Sequence, residues 1–232
     1  MNKLARLLVI HALSTVLVSA GLSMTAHADT KTWTGAVNNL WSTPGNWTGG
    51  VPAAGDRVVF GATGINRTTT NDLAAGTVFF GITFLGDNYV INGNALGLTD
   101  GITSNQAPNT VNVDLQVVAP QTMAGTYNPL HLGGDIDLGA NTLTFSYHVN
   151  ATGTIFGSGG LAIGDVVTLS GTNTYTGPTS VNQRVEINGM QPSSAVSTAA
   201  YYGSIVSGSG RAGAVTLGIS ASIQPGQGFG GG

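Results

Sequence analysis

Residues 167–182 read VTLSGTNTYTGPTSVN. Val167 and Leu169 flank Thr168, and Thr179 and Val181 flank Ser180, so a short alternating burst stands near each end. A period of two puts one set of side chains on each face of a strand. Between the bursts lie Gly171, Gly177 and Pro178, which turn a chain, and Asn173 and Tyr175, which suit stacked positions. Strands of three residues make poor hairpins. They are adequate as faces of a coil that stacks on the next coil.

The same grammar recurs along the chain. Val111, Val113, Leu115 and Val117 alternate with Asn112, Asp114 and Gln116. Leu130-His131-Leu132, Ile136-Asp137-Leu138, Leu143-Thr144-Phe145, Leu161-Ala162-Ile163, Val185-Glu186-Ile187 and Val215-Thr216-Leu217 repeat the pattern. Gly, Asn, Asp or Pro separates the bursts. A β-sandwich and a β-solenoid both satisfy this alternation, but a sandwich prefers longer hairpin-joined strands. The expected fold is therefore all-β, a parallel β-helix, with at most one helical turn at residues 71–75.

The amino terminus follows a different rule. Lys3 and Arg6 precede an apolar run over residues 7–22, and Ala26-His27-Ala28 ends it with small residues at alternate positions. That is a secretory signal peptide over residues 1–28, with cleavage expected between Ala28 and Asp29. Removing it leaves five basic residues against ten acidic ones. A nucleic-acid partner would need clustered Lys and Arg and is not expected. With Cys 0, no disulfide scaffold, thiol nucleophile or thiolate metal site is available. Charged residues make up 7% of the chain, against about 25% in ordinary domains. Thr, Ser and Asn must therefore dress the surface.

Trp33, Trp41 and Trp47 fall within fifteen residues of one another. A solenoid needs its open end covered, and bulky aromatics at one end suit that duty. The expected organisation is a capping module over residues 29–75, a β-helix over residues 76–225 and a disordered Gly-rich tail over residues 226–232.

The order of short motifs resembles the autotransporter-associated β-strand repeat, at about residues 159–190. Gly159-Gly160-Leu161 is followed by Leu169, Ser170, Gly171, Asn173, Thr174, Tyr175, Thr176, Gly177 and Thr179, then by Val181-Asn182. Val185-Glu186-Ile187-Asn188-Gly189, Pro192-Ser193-Ser194, Ser207-Gly208-Ser209-Gly210 and Gly213-Ala214-Val215 continue the likeness. Upstream, Trp33-Thr34-Gly35, Asn46-Trp47 and Ile82-Thr83-Phe84 are similar to the segment that precedes such repeats. The resemblance implies a right-handed parallel β-helix, exported and displayed or released as a structural or adhesive passenger, extracellular or associated with the outer membrane. A host-surface or polysaccharide ligand is the implied partner. Two departures stand out: residues 162–166 replace a Lys- and Gly-containing link, and Pro178 replaces a Gly. No set of strands after Val181 suits an outer-membrane barrel, which leaves three alternatives: a free secreted protein, a passenger served by a separate outer-membrane barrel polypeptide, or a truncated gene product.

Candidate chemistry is sparse. Asp135 and Asp137 lie two apart, on one face of a regular strand, and form the acidic pair a carbohydrate lyase or hydrolase would need. A solvated pair at a turn is the plainer reading. His131 points away from Leu130 and Leu132, and two distant histidines make no zinc site. Trp41 and Trp47 are the glycan contacts if the chain is a carbohydrate-binding module. The favoured expectation is no catalytic residue, no metal and no cofactor.

Overall fold

The computed structural model describes residues 29–106, 108–199 and 203–226. The expected signal peptide and residues 227–232 of the tail lie outside the described residues. What remains is nearly all β, a solenoid of about eight turns. Each turn visits the same sides in the same order. Arg57–Phe60, Thr68–Asn71 and Thr77–Phe79 build the first full turn. Gly81–Phe84, Val90–Gly93 and Leu96–Leu98 repeat it one level on. Every strand pairs in parallel with its counterparts above and below, except Trp47–Thr48, which runs antiparallel against Thr30–Trp33. Parallel pairing between short consecutive strands is what separates a solenoid from a sandwich.

The registers explain the alternating bursts. On the first sheet Val58, Ile82, Ile102, Met123, Phe145, Ile163 and Val181 stand over one another inside the coil. On the second sheet Leu130, Val149, Val167, Val185 and Val206 do the same. Outside the first sheet, Thr122, Thr144, Ala162, Ser180, Ser197 and Thr216 form a small, uncharged column. The interior column excludes water and the exterior one satisfies it, so the same two-residue period serves both faces.

Residues 167–182 occupy one side and two corners. Val166–Leu169 lies on the second sheet and Thr179–Val181 on the first. The chain between them runs along the third side without regular strand geometry. Thr174 and Thr176 donate backbone N–H groups to the carbonyls of Ile155 and Gly157, one turn earlier.

Glycine sets how closely the turns approach. Gly134, Gly153, Gly171, Gly189 and Gly210 occupy the corner between the second sheet and the third side on successive turns. A Cβ on Gly153, Gly171, Gly189 or Gly210 would lie 2.0–2.1 Å from the carbonyl oxygen of the glycine one turn before. No methyl group fits at that distance, so any side chain there must push two turns apart.

The aromatic cap forms, and it reaches further into the coil than residues 29–75 suggest. Thr30–Trp33 already stacks in parallel on Arg57–Phe60. Trp33 and Trp47 meet edge-to-face at 4.9 Å, Trp41 and Trp47 at 5.6 Å, and Trp41 contacts Phe60 and Phe79. Phe60 stacks on Phe84 of the next turn. The cap and the first turn share one core, and parallel stacking already starts at Thr30–Trp33, well before residue 76. Asn46 orders the covering loop. Its Oδ1 accepts from Val37 and Asn38 N–H, and its Nδ2 donates to Asn38 Oδ1 and Leu40 O. Residues 71–75 form no helical turn; a 3₁₀ turn at Pro44–Asn46 leads into Trp47 instead.

Two outcomes check this account. Trp41→Ala leaves a large hole beneath the cap and should cost about 3–5 kcal/mol in denaturant unfolding. Gly171→Ala should cost about 1–3 kcal/mol, because its methyl group meets the Gly153 carbonyl.

Candidate functional site

Trp41 and Trp47, the expected glycan contacts of a binding module, are buried and present no open ring face. They are 0% and 7% exposed, and their ring faces are covered by each other and by Phe60. Their indole N–H groups also point inward: Trp41 Nε1 donates to Thr69 Oγ1 and Trp47 Nε1 to the Trp41 carbonyl. A sugar ring has no face to stack on, because covering the end of the coil has used all of it.

Asp135 and Asp137 both point outward, as their spacing predicts, but the strand there is only Ile136–Asp137 and Asp135 lies in the corner before it. Asp135 Oδ1 accepts the Thr154 N–H at 2.7 Å, and Asp137 Oδ1 accepts the Gly139 N–H at 2.8 Å. Asp114 repeats the device one turn earlier, accepting from Asp135 N–H. All three carboxylates fasten corner backbone. His131 sits on the outer face of the second sheet beside Asn150.

The repeat motif turns inward at its centre. Asn173 and Tyr175 are both buried. Asn173 Oδ1 accepts from Ile155 N–H, and the Tyr175 hydroxyl and Thr179 Oγ1 lie 2.6 Å apart. Thr179 Oγ1 also meets Ser194 Oγ and Gln191 Nε2, and Ser194 Oγ donates to the Gly177 carbonyl. Thr179, Gln191 and Ser194 are themselves buried, so this is a hydroxyl and amide network inside the rod. Burial pushes the Tyr175 phenol up to about 12.

Surface relief lies elsewhere, at the corner between the first and second sheets. Five residues separate Phe84 from Val90 there, and five separate Ala124 from Leu130. Only two separate Ser146 from Val149, Ile163 from Val166 and Val181 from Arg184. Three short corners beside the longer one at residues 125–129 leave a trough across the solenoid, roughly 14 Å wide at ordinary strand spacing. Its floor carries Tyr147, Asp165 and Gln183, one per turn. A cavity of about 760 Å³ runs from Tyr147 and Asp165 past Tyr127 and Asn128 to Ser104 and Gln106. Two more, of about 730 and 360 Å³, continue it past Val166 and Arg184.

Tyr127 is 95% exposed and Tyr147 60%. Tyr147 also holds a left-handed backbone, φ 57°. A bulky residue seldom adopts that conformation, and Asp165 and Gln183 at the matching positions of the next turns do not. His148 Nδ1 hydrogen-bonds the Tyr127 carbonyl and ties the wall to the floor. The sequence signal for this place was two tyrosines standing outside the alternation, each beside Asn or His in a turn.

Compared with known proteins, the chain matches no family model, no curated protein and no solved structure.

The buried phenol has a measurable consequence. Tyr175 ionises at about 12 when folded and near 10 when unfolded, so above pH 10 the unfolded chain holds fewer protons. Through this residue stability should not vary with pH below pH 10 and should then fall by about 1.4 kcal/mol per unit towards pH 12. Tyr175→Phe should remove that slope in denaturant titrations run across the window, at a cost of about 1 kcal/mol near neutrality.

Proposed function

We propose that the chain is an exported, non-catalytic β-solenoid that serves as a passenger-like spacer and adhesive surface at or beyond a bacterial outer membrane. One observation carries this reading: the parallel stack runs without interruption from Thr30–Trp33 to Ser222–Pro225. About eight turns at ordinary strand spacing make a rod roughly 40 Å long. Such a rod holds whatever it carries at a fixed distance from its anchor and needs no disulfide to do so.

The outer surface suits the same role. Thr122, Thr144, Ser180, Ser197 and Thr216 give a neutral hydroxyl face that resists nonspecific pairing with charged partners. The carboxylates of Asp135 and Asp137 are engaged in corners, which favours this role over polysaccharide cleavage. The motif order of residues 159–190 supports the passenger likeness, and the basic start with Ala26-His27-Ala28 supports export.

Expression of the full chain in a Gram-negative host tests the reading. The expected product begins at Asp29 by mass spectrometry and is found at the cell surface or in the medium. It should show no activity on acidic or neutral polysaccharides. Retention of residues 1–28 in a cytoplasmic product, or polysaccharide cleavage lost on Asp135→Asn with Asp137→Asn, would sink it.

A further inference from the structure

We propose that the trough between the first and second sheets binds a short neutral oligosaccharide. This rests on the adhesive half of the proposed function and on none of its claims about export.

The shape comes first. The trough spans three turns, roughly 14 Å, which accommodates two or three pyranose rings end to end. Its depth comes from corner length: Ser146 reaches Val149, and Ile163 reaches Val166, in two residues each. The wall beside it rises on the longer corner that carries Tyr127.

The side chains match the same ligand class. A sugar offers an apolar C–H face and a rim of hydroxyls. Tyr127 and Tyr147 supply exposed aromatic faces with polar tips. Asp165 and Gln183 follow Tyr147 along the floor, one turn apart, so an acceptor and an amide stand next to an aromatic platform. Carboxylate and amide groups at that spacing can take paired hydroxyls. Asn128 adds a further amide on the wall.

Backbone geometry supplies an independent argument. Tyr147 adopts φ 57° at a corner that could be turned without it. Strain of this kind persists where the surrounding structure holds a side chain for a use. Here the left-handed residue aims its ring out of the coil at the bottom of the trough, while His148 is tied to the Tyr127 carbonyl.

Other ligand classes fit less well. A peptide adding as a strand needs a free sheet edge, and the corner strands Ser146 and Ile163 belong to are paired on both sides. The charged lining, Asp165 with Arg184, carries no net positive charge to hold a polyanion, in a chain of net charge −3.

Saturation-transfer NMR on the folded chain tests the site, with cellotriose, maltotriose, tri-N-acetylchitotriose and trigalacturonate as probes at about 10 mM. At least one neutral trisaccharide should receive saturation, and trigalacturonate should not. Tyr127→Ala should weaken binding about tenfold, with the melting temperature unchanged because the ring touches little of the fold. Tyr147→Gly should weaken binding about as much while holding or raising the melting temperature, since Gly takes a left-handed backbone freely. No transfer to any neutral probe overturns the proposal, and so does transfer that survives both substitutions. Preference for trigalacturonate overturns the neutral class. Sugar binding by a chain that is not exported would leave this site standing and refute the export reading.

Discussion

The constraint that governs the molecule is the contact between successive corners. Gly153, Gly171, Gly189 and Gly210 each lie under a carbonyl that leaves no room for a Cβ. That contact fixes the spacing between turns, and the spacing lets inward side chains touch from one turn to the next. At these corners glycine is thus a packing requirement before it is a source of flexibility. Gly159 and Gly177 impose the same limit at another corner, against Asn141 and Gly159 carbonyls. Pro178 follows Gly177 at no cost, because its carbonyl accepts from Leu161 N–H and no partner needs an N–H from it.

Inside that frame, polar residues divide into two kinds. Corner residues such as Asp114 and Asp135 hold the backbone of the next turn from outside. Tyr175, Thr179, Gln191 and Ser194 do so from inside, replacing apolar contact with a hydroxyl chain where the third side loses its regular strand. The aromatic end uses Asn46 in the same spirit, with both its oxygen and its nitrogen engaged.

Much of this was legible in residue order. Leu130-His131-Leu132 and Val185-Glu186-Ile187 became strands with the expected residues inside, because a two-residue period has one physical meaning on a half-buried strand. Short bursts also pointed to stacking in place of hairpins. The cap was legible as a need for bulk, but its boundary was not: Thr30–Trp33 joins a sheet with a strand 27 residues later, and no local pattern reveals such a partner. The burial of Trp41 and Trp47 follows from the same long-range contact. Asn173 and Tyr175 stand in a polar run, yet they stay in phase with Val167, Leu169 and Gly171 and are buried with them. The trough was the least legible feature, since it arises from differences in corner length between turns that are adjacent only after folding.

The core changes along the rod. Trp33, Trp41, Phe60, Phe79, Phe84 and Tyr89 fill the first turns, while Val185, Val196 and Val206 fill the later ones, and Ile219 and Ile223 of the last described turn are largely uncovered. Each turn is held chiefly by its neighbours, so this gradient in side-chain size is also a gradient in local stability. Under tension the two ends behave unequally. A pull on the C-terminal end peels lightly packed turns one after another, and each released turn lengthens the tether by nearly twenty residues of extended chain. A pull on the other end meets the interlocked tryptophans first, and the rod resists as a single body. A rod built this way yields in steps from one side and stays rigid on the other.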